Sequence, residues 1–351
     1  MLTDKRVLIT GGTGSLGKVL VRRLLTGELG NPRKIIVFSR DEAKQHAMRL
    51  EYLRKTAVTD EVIYQKINEV LKFRIGDVRN FHSIAGVLRE ADVVFNAAAL
   101  KQVPTCEYFP HEAVMTNISG PENIVRAIQE YDLPVDTVVG ISTDKACKPV
   151  NVMGMTKAIQ ERVFIQANLR CPKTRFICVR YGNVLASRGS VIPLFREQIQ
   201  NGGPITITTP EMTRFLLSLD QAVDTVFEAV CNAQRGETYI PRVPAARVVD
   251  IAKVLINERP IEMVMTGIRP GEKIHEILVS EEERHRTVDR KNYYAILPML
   301  PELRSTAGMP EPLENEYSSA LDLMDLVELE TLLSNHGLLV DNISHEEELL
   351  R

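Results

Sequence analysis

No two cysteines in this 351-residue chain have the CxxC spacing. The five present, Cys106, Cys147, Cys171, Cys178 and Cys231, are scattered and odd in number. This argues against a disulfide framework and a zinc site, so no metal is expected, and it fits reduced thiols in a cytoplasmic compartment. No apolar run approaches the length of a membrane span, and strand-like residues begin within a few positions of Met1, so no membrane contact is expected. The formal net charge is −3, too small a bias for broad binding to nucleic acid or anionic lipid. Internal repeats and low-complexity tracts are absent as well. What remains is a globular composition, 44% hydrophobic and 25% charged, in a chain long enough for one large domain or two modest ones.

Short apolar runs recur through the first half: Val7–Ile9, Ile35–Phe38, Phe73–Ile75, Val93–Phe95, Thr137–Ile141 and Phe176–Val179. Amphipathic helical patterns separate them. The alternation predicts an α/β fold, a doubly wound parallel sheet of Rossmann type. Ligands of such sheets bind beyond the carboxyl ends of the strands, where the polar motifs of this chain lie. Residues 50–72 read as a mostly helical insertion. Beyond about residue 185 the alternation loosens and Gly202-Gly203-Pro204 and Pro241–Pro244 punctuate it. We expect a nucleotide-binding domain over 1–185, a smaller α/β substrate lobe over 186–300 interleaved with it, and a C-terminal arm and helix over 301–351. Ser318 or Ser319 is the expected cap of that helix, which carries Leu323, Leu326, Val327, Leu329 and Leu333.

Gly11-Gly-Thr13-Gly14-Ser15-Leu16-Gly17 follows the first strand and opens a helix. Glycines there allow a tight turn and let backbone N–H groups approach a pyrophosphate. The second strand ends in Ser39-Arg40, with Lys44 one turn on. An acidic residue there would hold a ribose 2′-hydroxyl, whereas an arginine accommodates a 2′-phosphate, so NADP is expected rather than NAD. The alternative leaves Arg40 in solvent and gives the ribose to Asp41.

The run Ser142-Thr143-Asp144-Lys145 through Met153 to Lys157 resembles the active-site strand and helix of the extended short-chain dehydrogenase/reductase family. That family pairs a tyrosine with a lysine four residues later. Met153 stands at the tyrosine position and can exchange no proton. The pattern is similar to the methionine-variant branch of the UDP-N-acetylhexosamine 4,6-dehydratases. The resemblance implies oxidation at C4, loss of water across C5 and C6, and return of the hydride to C6. It implies Asp144 as acid at the C6 hydroxyl and Lys145 as base at C5, with burial raising the carboxyl pKa and lowering the ammonium pKa, the latter further by the charge of Lys157. The acceptor of the C4 hydroxyl proton stays open between Lys145, Lys157 and a water ordered by Thr143. Adjacent residues on a regular strand face opposite ways, so the chain is expected to leave the strand by Asp144.

By the same resemblance Asp77 and Val78 flank the adenine, Ala97, Ala98 and Ala99 line the dinucleotide, and Lys157 contacts the nicotinamide ribose. Lys101 and Asn183 border the sugar and diphosphate. Ser190 and Val191 form the next wall. Thr206, Thr208 and Arg214 belong to nucleotide-holding segments. In Arg269-Pro-Gly-Glu272-Lys273 the arginine suits a diphosphate and the glutamate ribose hydroxyls. The substrate implied is UDP-N-acetylglucosamine. A UDP-hexose 4-epimerase and a non-catalytic nucleotide-sugar binder are the rival readings. A homo-oligomer, dimer to hexamer, is expected, with the helix at 319–334 and the insertion at 50–72 as contacts.

Overall fold

The computed structural model describes residues 1–56, 69–185, 190–268, 270–304 and 311–340. Its strands in chain order are β1 (Arg6–Thr10), β2 (Lys34–Ser39), β3 (Leu71–Ile75), β4 (Val93–Asn96), β5 (Thr137–Thr143), β6 (Arg175–Tyr181), β7 (Ile205–Ile207) and β8 (Thr213–Phe215). They continue with β9 (Thr238–Pro241), β10 (Ala245–Arg247), β11 (Met263–Met265), β12 (Ile277–Val279), β13 (Thr287–Asp289), β14 (Tyr293–Ile296) and β15 (Tyr317–Ser318). Nine form one sheet in the order β13-β14-β9-β6-β5-β4-β1-β2-β3. Pairing is parallel from β3 through β9, and β14 and β13 add an antiparallel edge. This is the doubly wound sheet expected from the alternating pattern.

Both faces of the sheet are buried, which is why its strands read as continuous apolar runs. Val7 and Ile9 of β1 join one core with Val139, Ile141, Ile177 and Val179, while Leu8 faces the other with Val138, Phe176 and Cys178. The order reverses between β1 and β4, and there the crevice for a ligand opens.

A third core serves the smaller lobe: Ile192, Phe195, Ile205, Ile207, Leu255 and others, closed by Leu329 and Leu333 of the helix Leu326–Asn335. That helix therefore spends Leu329 and Leu333 inside the lobe and leaves Leu326 and Val327 exposed. Its cap is Asp325, whose carboxylate accepts from Val327 N and Glu328 N in a capping box, not Ser318 or Ser319, and Leu323 precedes it. Ser318 instead pairs in β15 with β12. Of the insertion, the helix Glu42–Thr56 is described and residues 57–68 lie outside the described residues.

Candidate active site

Carboxyl ends of β1, β2, β4, β5 and β6 open on one cavity of about 860 Å³, with the lobe as its far wall. Gly11 leaves β1 at φ +65°, and a Cβ there would stand 2.8 Å from Ala97 O. At Gly17 a Cβ would lie 2.5 Å from Gly12 Cα. Only glycine permits this close turn, which delivers the N-terminus of the helix Ser15–Leu25 to the cavity. Every residue expected at the cofactor lines the wall: Gly11, Thr13, Gly14, Ser15, Leu16, Gly17, Ser39, Arg40, Lys44, Asp77, Val78, Ala97, Ala98, Ala99 and Lys157. The Asp41 carboxylate is tied to Lys44, 2.8 Å away, and caps its N–H. The Arg40 side chain is half exposed with a long contact, 3.7 Å, to Asp77.

β5 ends at Thr143, and a single 3-10 turn, Asp144–Ala146, follows. The chain thus leaves the strand at Asp144, and the turn separates two neighbouring side chains. Lys145 lines the cavity; Asp144, 1% exposed, is not among the lining residues. Asp144 Oδ1 accepts from the Thr143 hydroxyl at 2.8 Å and from Lys145 Nζ at 3.2 Å, and Oδ2 is buried without a partner. Lys145 Nζ also donates to Asn183 Oδ1 and Glu276 Oε1, each at 3.2 Å. Burial works against the Lys145 ammonium, but Asp144 and Glu276 outweigh it, and its pKa stands above the ordinary lysine value. This corrects the expected downward shift. The cation that opposes the rise is Arg214, not Lys157.

The helix Val152–Arg170 carries Met153 and Lys157 on one face, a turn apart. Met153 lines the cavity and packs with Cys106, Ala113, Leu100, Val103 and Val152. Lys157 Nζ donates to Ile141 O at 2.5 Å and to Gln160 Oε1 at 2.6 Å. Burial pushes its pKa down to about 8, against a smaller opposing pull from Cys178 and Glu161. Beneath this wall Arg180 is fully enclosed and bridges Glu161 and Glu283, each at 2.7 Å. That ion-paired strut fastens β6 to the helix Val152–Arg170 and to the segment after β12.

Across the cavity stand Lys101, Asn183, Ser190, Val191, Thr206, Thr208, Arg214 and Glu272. Arg269 lies outside the described residues, as do Ser187, Arg188 and Gly189. Ser190 Oγ and Glu272 Oε2 are buried without partners, and Arg214 Nη1 is held by Thr213 O at 2.7 Å. Three polar residues stand out among the lining residues that escaped the sequence reading. Thr116 sits in the π-helical turn Met115–Ser119 with its hydroxyl buried and unpartnered. Asn151 caps the helix Val152–Arg170 and was findable as a cap three residues before Gly154. Glu276, 131 residues from Lys145, carries no spacing signal.

The family model described as polysaccharide biosynthesis protein matches residues 7–298. The chain belongs to that family. A Rickettsia conorii protein named UDP-glucose 4-epimerase is 45% identical over 301 residues, 84% of each chain. The solved structure of Pen from Bacillus thuringiensis is 34% identical and superposes with a TM-score of 0.84, covering 97% of this chain and 99% of that one. A dTDP-glucose 4,6-dehydratase from Streptomyces venezuelae, solved with NAD, shares the fold at 19% identity and a TM-score of 0.62 over 77% of this chain and 86% of its own. Family membership and the sheet order agree on an extended short-chain dehydrogenase/reductase architecture. Among the described residues no helix is long and apolar enough to cross a membrane.

Proposed function

We propose that the chain is a UDP-N-acetylglucosamine 4,6-dehydratase, working with NADP as a cytoplasmic homo-oligomer and releasing a UDP-4-keto-6-deoxy-N-acetylhexosamine for polysaccharide or glycan synthesis. The observation that carries this reading is Lys145 on the cavity wall just past Thr143, its Nζ 3.2 Å from the carboxylates of both Asp144 and Glu276. Elimination across C5 and C6 needs one base and one acid on the same sugar ring. A 4-epimerase needs a proton acceptor at C4 and room for the ketone to turn, and has no use for a second acid-base pair. UDP-hexose 4-epimerisation is the second reading, favoured by the name of the Rickettsia relative.

The residues present fit a nicotinamide dinucleotide. Gly11, Gly14 and Gly17 leave the helix N-terminus open to its diphosphate, Ser39, Arg40 and Lys44 suit a 2′-phosphate, and Asp77 and Val78 on the same wall suit the adenine. Bound there, it would take up a hydride from C4 and return it at C6. Arg214 supplies charge for the sugar diphosphate, and the unpartnered Glu272 Oε2 suits a ribose hydroxyl. Lys157, with its depressed pKa, is the group best prepared to accept the C4 hydroxyl proton.

Product NMR from UDP-N-acetylglucosamine in heavy water tests the reading. Loss of one water, a C6 methyl group and deuterium at C5 are expected. A C4 epimer without dehydration would install the second reading instead. Denaturing the purified protein should release NADP; NAD alone would overturn the assignment to Arg40.

A further inference from the structure

With Met153 unable to exchange a proton, Lys157 must be aimed by something else. Gln160, one turn along the same helix, is fully buried and is absent from the cavity lining. Its Oε1 accepts from Lys157 Nζ at 2.6 Å, and its Nε2 donates to Ile141 O at 3.0 Å. Lys157 Nζ donates to that same carbonyl at 2.5 Å. Ile141 O thus uses both of its lone pairs, and its bond to Nε2 fixes which end of the Gln160 amide meets the lysine.

A neutral amine carries two N–H bonds and one lone pair. Gln160 Oε1 and Ile141 O are acceptors only, so each claims an N–H. The lone pair is left to point away from both, toward the cavity that Lys157 lines. A protonated Lys157 keeps the same two bonds and gains its third N–H at the same place. The cradle therefore fits both states of the lysine without rearrangement, which is what a proton-transfer group needs from its support.

The charged neighbours do not disturb this. Glu161 on the same helix and Cys178 on β6 act on the ammonium, but the Glu161 carboxylate is taken by Ser142 Oγ at 2.5 Å and by Arg180 at 2.7 Å. The turn Asp144–Ala146 brings Asp144 and Lys145, which pair with each other. The helix Val103–Tyr108 adds Cys106, packed with Met153. β5 and the π-helical turn Met115–Ser119 bring no titratable group.

We propose that Gln160 is a positioning residue for oxidation at C4: with Ile141 O it holds two positions on the Lys157 nitrogen and aims the third at the C4 hydroxyl. The proposal rests on the reading of Lys157 as acceptor of that proton. The hydroxyl proton moves to the lone pair as the hydride leaves C4 for the bound cofactor and the C4–O bond becomes a ketone. The proton that Lys157 then holds balances the one Asp144 gives to the C6 hydroxyl, and exchange with solvent restores both groups.

The test is single-turnover cofactor reduction in the holoenzyme, followed by absorbance across pH after mixing with UDP-N-acetylglucosamine. Gln160→Met keeps the length of the side chain and removes the acceptor. It should slow the step by up to about 100-fold, the cost of a misaimed group, with KM unchanged. Its pH midpoint should fall below that of the wild type, because a hydrogen bond to the ammonium is lost. Gln160→Glu puts a carboxylate against the ammonium and should raise the midpoint by about one unit or more. Midpoints and rates equal to the wild type in these variants would overturn the proposal and leave the role of Lys157 standing. A wild-type rate that ignores pH around 8 would overturn that role and the proposal with it. A crystal structure of the wild-type holoenzyme reports independently of any variant's folding. Lys157 Nζ should lie within hydrogen-bond distance of both Gln160 Oε1 and Ile141 O, and a Gln160 amide turned away from the lysine would overturn the assignment.

Discussion

Lys145 and Lys157 are both enclosed, yet their ammonium groups move in opposite directions. Lys157 meets only uncharged oxygens, Ile141 O and Gln160 Oε1, so burial dominates and its pKa falls to about 8. Lys145 meets two carboxylates, which override burial. A lysine must be neutral to accept a proton, and the neutral fraction of Lys157 grows as pH rises through about 8. Cofactor reduction in a single turnover should therefore speed up across that range and then level off. Lys157→Ala should slow it by about 100- to 10,000-fold at every pH. Met153→Ala should cost packing among Cys106, Ala113 and Val103, about 2–5 kcal/mol at most, with far less loss of turnover. Turnover as low in Met153→Ala as in Lys157→Ala, with the fold intact, would show that the chemistry has been assigned to the wrong residues. The spacing of Met153 and Lys157 was legible in the chain. The charge states were not, because they depend on which groups the fold brings near.

At the scale of elements, the junction between helix and lobe governs substrate access. Asn151 Oδ1 accepts from Gly154 N at 2.8 Å and its amide donates to Gly271 O at 2.9 Å. One side chain thus starts the helix Val152–Arg170 and tethers the turn that presents Glu272. Lys273 Nζ ties the same turn to Cys147 O at 2.5 Å. Asn151→Ala should lower stability by about 1 kcal/mol through loss of the cap. It should also raise KM for the nucleotide sugar more than it lowers kcat, since the acid-base groups stay in place. Equal falls in kcat and kcat/KM, with KM unchanged, would refute that division of labour. Local signals of this kind were readable where sequence neighbours do the work: the glycine turn, the exit from β5, the parallel strands. They misled at the C-terminal helix, where two serines look like caps but Asp325 and Glu328 form the capping box. Ser319 is occupied elsewhere, clasping Glu276 across 43 residues, a contact that no local pattern encodes.

Assembly belongs to the whole molecule. Because Leu329 and Leu333 are fully buried in the lobe, the C-terminal helix offers little apolar surface to a second copy beyond Leu326 and Val327. The larger apolar exposure lies on the helix Val152–Arg170, where Met155, Ile159 and Leu169 are 48%, 46% and 41% exposed along one side. The short helices Val103–Tyr108 and Pro110–Val114 pack against it and end in Tyr108, 83% exposed, and Val114, 37% exposed. An exposed apolar face of this kind invites burial, and a second copy about a two-fold axis is the simplest occupant, since each face then meets itself. The same helix carries Met153 and Lys157 on its inner side, so association there would stiffen the wall of the active site. Light scattering at micromolar concentration should find a closed oligomer. Ile159→Glu should shift it toward monomer without unfolding the sheet, because the side chain already faces water in the isolated chain. A wild type that runs as a monomer, or an Ile159→Glu variant that assembles as well as the wild type, would place the contact elsewhere.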